Sequence, residues 1–310
     1  MPGREGRVVV IGSVNMDTVL SLDHLPQPGE TRIAHDMREY LGGKGQSSAI
    51  AAARFGSNCR LIAAVGKDHA GELARQGLQA SGVDTGLIRL SAKPTGRAVV
   101  SVDARAENSI VVSPGANSEL RSLRAADKAA VIAADVLLTQ LEAGTAIAYE
   151  AIALARENGV TVMLNAAPVA DVPIEVLDCV DYLIVNRVEC LQLGGSPDIE
   201  ESARTLTEHA GTVVVTLGSE GGRIYSHGAA SISLPALDIE AVDTTGSGDT
   251  FCGAFAAGIA QGLALVEAFQ LALLAGSLAA LKHGNARSVP DRAAVIAEYR
   301  LLASLESGAR

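Results

Sequence analysis

Four short strings of apolar residues decide the fold of this chain: VLLTQL (residues 136–141), TVMLN (161–165), YLIVN (182–186) and TVVVTL (212–217). Each string is almost wholly aliphatic or β-branched, which is typical of strands buried on both faces of a parallel sheet. Alanine-rich segments of helical length and period lie between them, at residues 146–158 and 199–209. Strands that alternate with helices predict crossover units, and therefore a parallel sheet covered by helices.

The same alternation continues on both sides of these strings. Residues 8–11 and 59–65 read as strands, and the predicted helices outside the first region span residues 46–55, 71–81 and 249–261. The predicted fold class is therefore α/β, doubly wound, with a mainly parallel sheet flanked by helices. We find no internal repeat and no hinge linker, so residues 1–310 are expected to form one domain.

Two segments, at about residues 15–40 and 94–112, break the alternation. They contain polar-interleaved strings such as RAVVSVD (97–103) and SIVV (109–112) with no crossover helix. This pattern predicts a small antiparallel sheet. Open α/β folds bind ligands at the carboxyl ends of their parallel strands, so a sheet placed there would act as a lid over a site.

Composition and charge limit the classes of partner. The chain has 310 residues, is 48% hydrophobic and carries a formal net charge of -10. Nucleic acids and anionic membranes are bound through clustered Lys and Arg, so neither is expected as a partner.

Residues 250–281 contain a single charged residue, Glu267, but glycines interrupt the run, which favours two buried helices joined near Gly262 over a membrane span. The N-terminal sequence lacks the apolar stretch of a signal peptide, so a cytoplasmic location is expected.

The motif DTTGSGDTF (residues 243–251) carries the chemistry. It follows a strand-like string and opens a helix, so Gly246, Ser247 and Gly248 would present backbone N–H groups to an anion such as a phosphoryl group. Asp249 stands beside them and could accept the proton of an attacking hydroxyl. The residues alone leave an alternative equally open, in which Asp249 caps the helix and the glycines form a tight turn.

Nine motifs occur in an order that is typical of one family. They are VIGSVNMD (residues 10–17), PGE (28–30), GGKG (42–45), ENSI (107–110), GAN (115–117), QLE (140–142), NRVE (186–189), TLG (216–218) and DTTGSGD (243–249). The sequence thereby resembles the ribokinase branch of the sugar-kinase family that also contains fructokinases and adenosine kinase. The resemblance implies transfer of the γ-phosphoryl group of ATP to the primary hydroxyl of a pentose, with ribose as the first expectation.

The resemblance also implies roles for particular residues. Asp249 corresponds to the catalytic base, and Gly246, Ser247 and Gly248 to the backbone that stabilises the transferring phosphoryl group. Asn186 and Glu189 correspond to a motif that organises phosphates and Mg²⁺, in the case of Glu189 through water. The implied nucleotide-binding residues are Asn186, Glu189, Thr216, Gly218, Gly221, Gly248 and Asn285. For these glycines ordinary turn chemistry remains the alternative.

On the sugar side, the resemblance implies binding by polar groups at the ends of strands and at the start of a helix. These are Asn15, Asp17, Gly43, Lys44, Ser47 and Glu142, together with Asp249. A polyol needs paired donors and acceptors around several hydroxyl groups. The alternatives are that Asn15 and Asp17 form a turn after the first strand and that Lys44 is a solvated surface residue.

A cation site and an assembly are implied as well. Asp243, Thr245, Ala279, Gly284 and Ser288 correspond to two loops that hold K⁺ beside the anion site in ribokinases, although plain loop structure is the alternative. The expected cofactors are therefore Mg²⁺ with ATP, and K⁺ as an activator. Exposed edges of the lid sheet also predict a homodimer formed through the lid.

The sequence departs from the family pattern at the sugar side. Members usually continue Gly-Gly-Lys-Gly with Ala-Asn-Gln, whereas this chain has Gln46, Ser47 and Ser48. Ser47 takes the place of a sugar-contacting asparagine and has a shorter side chain with one donor, so the identity of the sugar stays open. A nucleoside kinase is disfavoured because the chain is only 3% aromatic. A non-catalytic sugar-binding protein is disfavoured because binding alone does not need Asp249 as a base.

Overall fold

A computed structural model describes residues 5–105 and 107–308 of the chain. Its strands are β1 (Arg7–Ile11), β2 (Asn15–Ser21), β3 (Asp36–Gly42), β4 (Asn58–Ile62), β5 (Ala64–Gly66), β6 (Arg89–Ser91), β7 (Gly96–Val102), β8 (Asn108–Ser113), β9 (Val136–Gln140), β10 (Thr161–Asn165), β11 (Tyr182–Asn186), β12 (Thr212–Thr216), β13 (Gly222–Ser226) and β14 (Ile232–Leu234). Its α-helices are α1 (Lys44–Arg54), α2 (His69–Ala80), α3 (Ala125–Ile132), α4 (Thr145–Glu157), α5 (Ile174–Leu177), α6 (Arg187–Gly194), α7 (Ile199–Leu206), α8 (Ser247–Ala260), α9 (Leu265–Ala279), α10 (Asn285–Ser288) and α11 (Arg292–Gly308).

The main sheet has the strand order β14-β13-β12-β11-β10-β9-β1-β4. The pairings from β12 to β4 are parallel, and only β13 and β14 at one edge pair in antiparallel fashion. Every residue of β9 is buried, as expected for a central strand that is covered on both faces. The predicted α/β fold with a mainly parallel sheet is therefore confirmed.

Helices cover both faces of this sheet. Val8 and Val10 of β1 point into a core shared with α1, α8 and α9, whereas Val9 and Ile11 point into a second core shared with α3 and α4. Alternate residues of one strand thus serve two separate cores, because successive side chains of a strand point to opposite faces. Helices packed on both faces of the sheet are what the predicted doubly wound fold requires.

The long apolar run forms two helices, as predicted. Helices α8 and α9 are joined by a turn in which Gly262 has a φ of 81°, a conformation that favours glycine. In the core Phe251 stacks on Phe255 within α8 and meets Phe269 of α9 edge to face. Among the described residues, none of the helices combines the length and the apolar composition of a membrane span.

A second, four-stranded sheet has the order β3-β2-β7-β8, and we call it the lid sheet. Its two outer pairings are antiparallel, but the central pairing of β2 with β7 is parallel, with Asn15 opposite Gly96. The predicted small antiparallel sheet is therefore present in the two outer pairings, and its central pairing is parallel. After β3 the chain passes through α1, β4, β5, α2 and β6 before it returns at Gly96, and this long connection lets it re-enter in the same direction. Closure over a site stays a prediction.

Candidate active site

The start of helix α8 forms the centre of the site. Gly246 has a φ of 80°, which allows the chain to turn into the helix, and Gly248 has open space where a side chain would stand. The N–H of Ser247 donates to the carbonyl of Thr244 at 3.2 Å. The Ser247 amide is therefore already paired, and the N–H groups of the following residues are the ones that the helix start can offer to an anion.

Asp249 is buried in the first turn of this helix and faces a lysine. Only 7% of Asp249 is exposed, and its Oδ1 lies 3.9 Å from Nζ of Lys44. Burial raises the pKa of Asp249 to about 6, against the opposing effect of Lys44, and the carboxylates of Glu142 and Glu189 raise it further. Asp249 in turn raises the pKa of Lys44. The pair therefore combines a stable cation with a carboxylate that gains and loses its proton near neutral pH.

A cleft of about 80 Å³ connects Asp249 with the ends of the neighbouring strands. Its lining consists of Lys44, Asn165, Ala167, Ile184, Asn186, Glu189, Thr216, Gly248, Asp249 and Cys252. Five of the residues predicted from the sequence to handle the phosphates, the nucleotide or the catalytic proton thus share one cavity. Sequence reasoning missed Asn165, whose amide donates to the carbonyl of Ile184 at 3.1 Å. The available signal was its position as the last residue of a parallel strand.

The sugar-side prediction converges on the carboxylate of Glu142. Asn15 Nδ2 donates to its Oε1 at 3.3 Å, the N–H of Lys44 donates to its Oε2 at 3.0 Å, and the hydroxyl of Ser13 also donates to Oε2. Sequence reasoning missed Ser13, which stands within a quoted motif but carries no motif-defining chemistry of its own. Three donors from two crossing segments hold this carboxylate in place before any substrate arrives.

Close backbone approach explains the glycines of the GGKG motif. Gly43 has a φ of 95°, and a Cβ there would lie 2.8 Å from the carbonyl oxygen of Ser13. A side chain on Gly42 would collide with the carboxyl of Asp17, so that this carboxyl lies directly over the Gly42 backbone. Tight contact between these two segments thus brings Asp17 and the start of α1 to the same place.

The residues that depart from the family pattern lie in the first turns of α1. Ser47 is fully buried, and its N–H donates to the carbonyl of Gly43 at 3.0 Å. Gln46 is also fully buried, and neither atom of its side-chain amide has a hydrogen-bond partner in the part of the chain that the structure describes. Both side chains are therefore shielded from solvent in this structure.

Asn186 and Glu189 cap helix α6 as well as line the cleft. The N–H of Asn186 donates to Glu189 Oε2 at 2.7 Å, and the N–H of Glu189 donates to Asn186 Oδ1 at 2.9 Å. Burial raises the pKa of Glu189, and the Asn186 N–H and Lys44 oppose that rise. Asn-x-x-Glu matches the reciprocal capping pattern, so the helix cap is what positions this pair at the cleft.

The remaining nucleotide-side residues follow β12. Thr216 lies at the end of this strand, and Gly218 and Gly221 have φ values of 62° and 88° in the turn beyond it. A Cβ on Gly221 would lie 2.6 Å from the amide nitrogen of Ala236, so only glycine fits there. Asn285 begins α10, and its side chain lies outside the described part of the chain.

The predicted cation loops lie against each other. Asp243 accepts the N–H of Thr245 at 2.9 Å and the N–H of Gly284 at 3.3 Å. Ala279 ends α9, and the N–H of the buried Ser288 donates to the carbonyl of Gly284 at 3.0 Å. One carboxylate therefore ties together the two loops that the sequence assigned to K⁺.

A parallel sheet, a helix start that carries a buried acid opposite a lysine, and a cleft lined by strand ends are typical of a phosphotransferase site. Residues 5–292 match the model of the pfkB family carbohydrate kinases, and the chain belongs to this family. It is a carbohydrate kinase, as predicted.

Relatives and solved structures agree with this assignment. The ribokinase of Haemophilus influenzae is 34% identical over 293 residues, which cover 92% of this chain and 95% of that protein. The ribokinase of Lactococcus lactis is also 34% identical, over 96% of this chain and 98% of that protein. A structure of Arabidopsis thaliana ribokinase complexed with ribose and ATP has a TM-score of 0.87 and 30% identity, over 94% of this chain and 97% of that one.

Proposed function

We propose that this enzyme transfers the γ-phosphoryl group of ATP to the primary hydroxyl of ribose, which gives ribose 5-phosphate and ADP. The observation that carries the proposal is the buried Asp249, which lies 3.9 Å from Lys44 at the start of α8 and shares a cleft with the nucleotide-side residues. The relatives named ribokinases, and the structure complexed with ribose and ATP, support this choice of acceptor.

Asp249 acts as the general base in this proposal. Its carboxylate takes the proton of the sugar hydroxyl as the hydroxyl oxygen bonds to the γ-phosphorus, and the bond from that phosphorus to the bridging oxygen of ADP breaks. The Lys44 ammonium favours the charged form of Asp249, which keeps the base available near neutral pH. Gly246, Ser247 and Gly248 form the turn that aims the helix start at the transferring group, where backbone N–H groups offset its negative charge.

The sugar is held between β2, the GGKG turn and the end of β9. Asn15, Asp17, Gly43, Lys44, Ser47 and Glu142 supply the contacts. Glu142 accepts three hydrogen bonds within the protein, so it is rigid and presents its remaining acceptor capacity in a fixed direction. The choice of sugar depends on Ser47, because its hydroxyl reaches less far than the asparagine amide that is usual at this position.

The nucleotide occupies the other arm of the cleft. Asn186, Glu189, Thr216, Gly218, Gly221, Gly248 and Asn285 are proposed to line it. The buried carboxylate of Glu189 suits Mg²⁺ bound through water, because one of its oxygens is already committed to the Asn186 N–H. Bound Mg²⁺ would offset the charge of the triphosphate. The hard oxygen ligands of the loops around Asp243, Thr245, Ala279, Gly284 and Ser288 suit K⁺ as an activator.

Assembly and compartment complete the proposal. Ile110, Val111 and Val112 on the edge strand β8 are 55%, 68% and 48% exposed, respectively. Three consecutive exposed apolar residues on a strand edge favour pairing with another subunit, so we propose a homodimer formed through the lid sheet. We also propose a cytoplasmic location, which would give the enzyme access to intracellular ATP.

The test is a coupled assay of ADP release with ribose, deoxyribose, fructose, other polyols and nucleosides, each with and without K⁺. Ribose is expected to give the highest kcat/KM, and K⁺ is expected to increase it. The variant Ser47→Asn is assayed beside the wild type, and a change of several-fold in the preference among sugars is expected if residue 47 faces the sugar. If a different sugar or a nucleoside gives the highest kcat/KM, that compound replaces ribose as the proposed acceptor. No turnover of any compound would contradict the proposal that the enzyme is a kinase.

A further inference from the structure

Asn117 joins the sugar side to the root of the lid sheet. It lies in the 3₁₀ helix Gly115–Glu119, shortly after β8, and is 2% exposed. The N–H of Val14 donates to its Oδ1 at 3.0 Å, and its Nδ2 donates to the carbonyl of Val14 at 3.1 Å. The same Nδ2 donates to Oδ1 of Asn15 at 2.8 Å. One side chain thus bonds both backbone groups of one residue and the side chain of the next.

These bonds fix which way the Asn15 amide faces. A backbone N–H can only donate, so the N–H of Val14 requires the oxygen of the Asn117 amide on its side. The nitrogen of Asn117 must then face the carbonyl of Val14 and Asn15, which requires the oxygen of Asn15 on that side. As a result Nδ2 of Asn15 is directed at Glu142, where it donates to Oε1 at 3.3 Å. The orientation is transmitted from the backbone through two amides to the carboxylate.

The surrounding backbone packs closely against the two amides. A side chain on Gly96 would collide with Oδ1 of Asn15 and Nδ2 of Asn117. Gly96 pairs with Asn15 at the point where β2 and β7 enter the lid sheet. The contact between the two amides is therefore enclosed between the strands that connect the lid sheet to the main sheet.

We propose that Asn117 is a positioning residue for the sugar site: it holds the Asn15 amide with its nitrogen toward Glu142 and the bound sugar. This inference rests on the proposed sugar-binding role of Asn15 and Glu142. It assigns Asn117 no contact with the substrate, so the residue acts only through Asn15.

The first test is the isosteric variant Asn117→Asp, which keeps the acceptor for the Val14 N–H and removes the donor to Asn15. Freed from that donor, the Asn15 amide is expected to turn, and its oxygen would then face the Glu142 carboxylate. The KM for the sugar should rise about ten-fold, the effect of about 1.4 kcal/mol, while the KM for ATP stays within two-fold of the wild type. A sugar KM within two-fold of the wild type would overturn the proposal.

A double-mutant cycle separates positioning from a general structural role. Asn117→Ala, Asn15→Ala and the double variant are compared in KM for the sugar. If Asn117 acts through Asn15, the double variant should match Asn15→Ala, whereas additive effects would contradict the proposal. Gln261→Ala is the matched control, because Gln261 also donates from its side chain to a distant carbonyl, that of Phe55 at 2.9 Å. It should lower stability and leave the sugar KM unchanged.

A readout without substrate keeps this inference separate from the proposed function. The side-chain amide signal of Asn15 in an ¹⁵N NMR spectrum is assigned by its absence in Asn15→Ala. It should shift in Asn117→Asp and stay in place in Gln261→Ala. If the wild type phosphorylates no sugar, the proposed function fails, and this spectrum still decides whether Asn117 sets the Asn15 amide. An unmoved Asn15 signal in Asn117→Asp would overturn the inference.

Discussion

The two ends of the site differ in how their charges are compensated. At the proposed sugar end, the Glu142 carboxylate accepts hydrogen bonds from Ser13, Asn15 and Lys44. At the proposed phosphoryl end, the buried Asp249 has the more distant Lys44 ammonium at 3.9 Å as its counter-charge, and burial raises its pKa to about 6. The sugar end is thus organised by hydrogen bonds before substrate binds, whereas the phosphoryl end keeps a carboxylate that is poorly compensated in the free enzyme.

This difference suits the two tasks. Recognition of a polyol needs fixed directions, because a hydroxyl group that finds no partner weakens binding. A general base works best when its pKa lies near the working pH, and burial raises the pKa of Asp249 toward that range. Neutralising the carboxylate should therefore change the free energy of unfolding in opposite directions at the two ends. Measuring both changes tests the comparison directly.

The largest effect is expected from Asp249→Asn. Loss of the base should lower kcat by about 10²- to 10⁴-fold, because the amide cannot accept the proton of the hydroxyl. The sugar should still bind, since its other contacts remain. ADP release measures the first effect and isothermal titration with the sugar measures the second. Residual turnover within ten-fold of the wild type would show that Asp249 is not the base.

A smaller effect on catalysis is expected from Glu142→Gln. The amide would place an NH₂ group among three donors that now point at a carboxylate, so the sugar contacts should be lost or turned. We expect the KM for the sugar to rise by about 10- to 100-fold, equivalent to about 1.4–2.7 kcal/mol, with the KM for ATP little changed. Initial rates at varied sugar and ATP measure both, and an equal rise in the two KM values would argue for general disruption.

The third prediction concerns stability and its dependence on pH. The folded-state pKa of Asp249, about 6, lies above its usual 3.8, so the native state holds a proton more tightly than the unfolded state. The ionised Asp249 therefore destabilises the fold above about pH 6, and this penalty disappears as the pH falls toward 4. Asp249→Asn should raise the free energy of unfolding at pH 7.5 by about 1–3 kcal/mol, reduced by the loss of the ion pair with Lys44. At pH 4 the variant and the wild type should differ little in this free energy.

Denaturant unfolding at the two pH values measures this difference, and Glu142→Gln is the natural comparison. Its hydrogen-bonded carboxylate should be stabilising, so that variant should be less stable than the wild type at pH 7.5. If both variants changed the free energy of unfolding in the same direction at pH 7.5, the distinction between the two ends of the site would be wrong.

Much of the fold could be read from the sequence. The apolar strings at residues 136–141, 161–165, 182–186 and 212–217 became β9, β10, β11 and β12 within a residue or so. Burial on both faces leaves little choice but aliphatic residues, so such strands are visible in a sequence. The lid sheet was harder, because its central β2–β7 pairing joins residues that are distant in sequence, and local pattern does not determine the direction of such a pairing.

The sequence by itself determined the class of protein, because GGKG, NRVE and DTTGSGD occur in the order typical of the family whose model matches residues 5–292. Tertiary structure alone decided how those motifs are held. It placed the Asn186 and Glu189 pair as a helix cap, paired the Ser247 amide with Thr244, and brought Ser13 and Asn117 into the sugar side. These contacts join segments up to about 130 residues apart. Hydrogen-bond geometry depends on distances of tenths of an ångström, and only the packed chain fixes those distances.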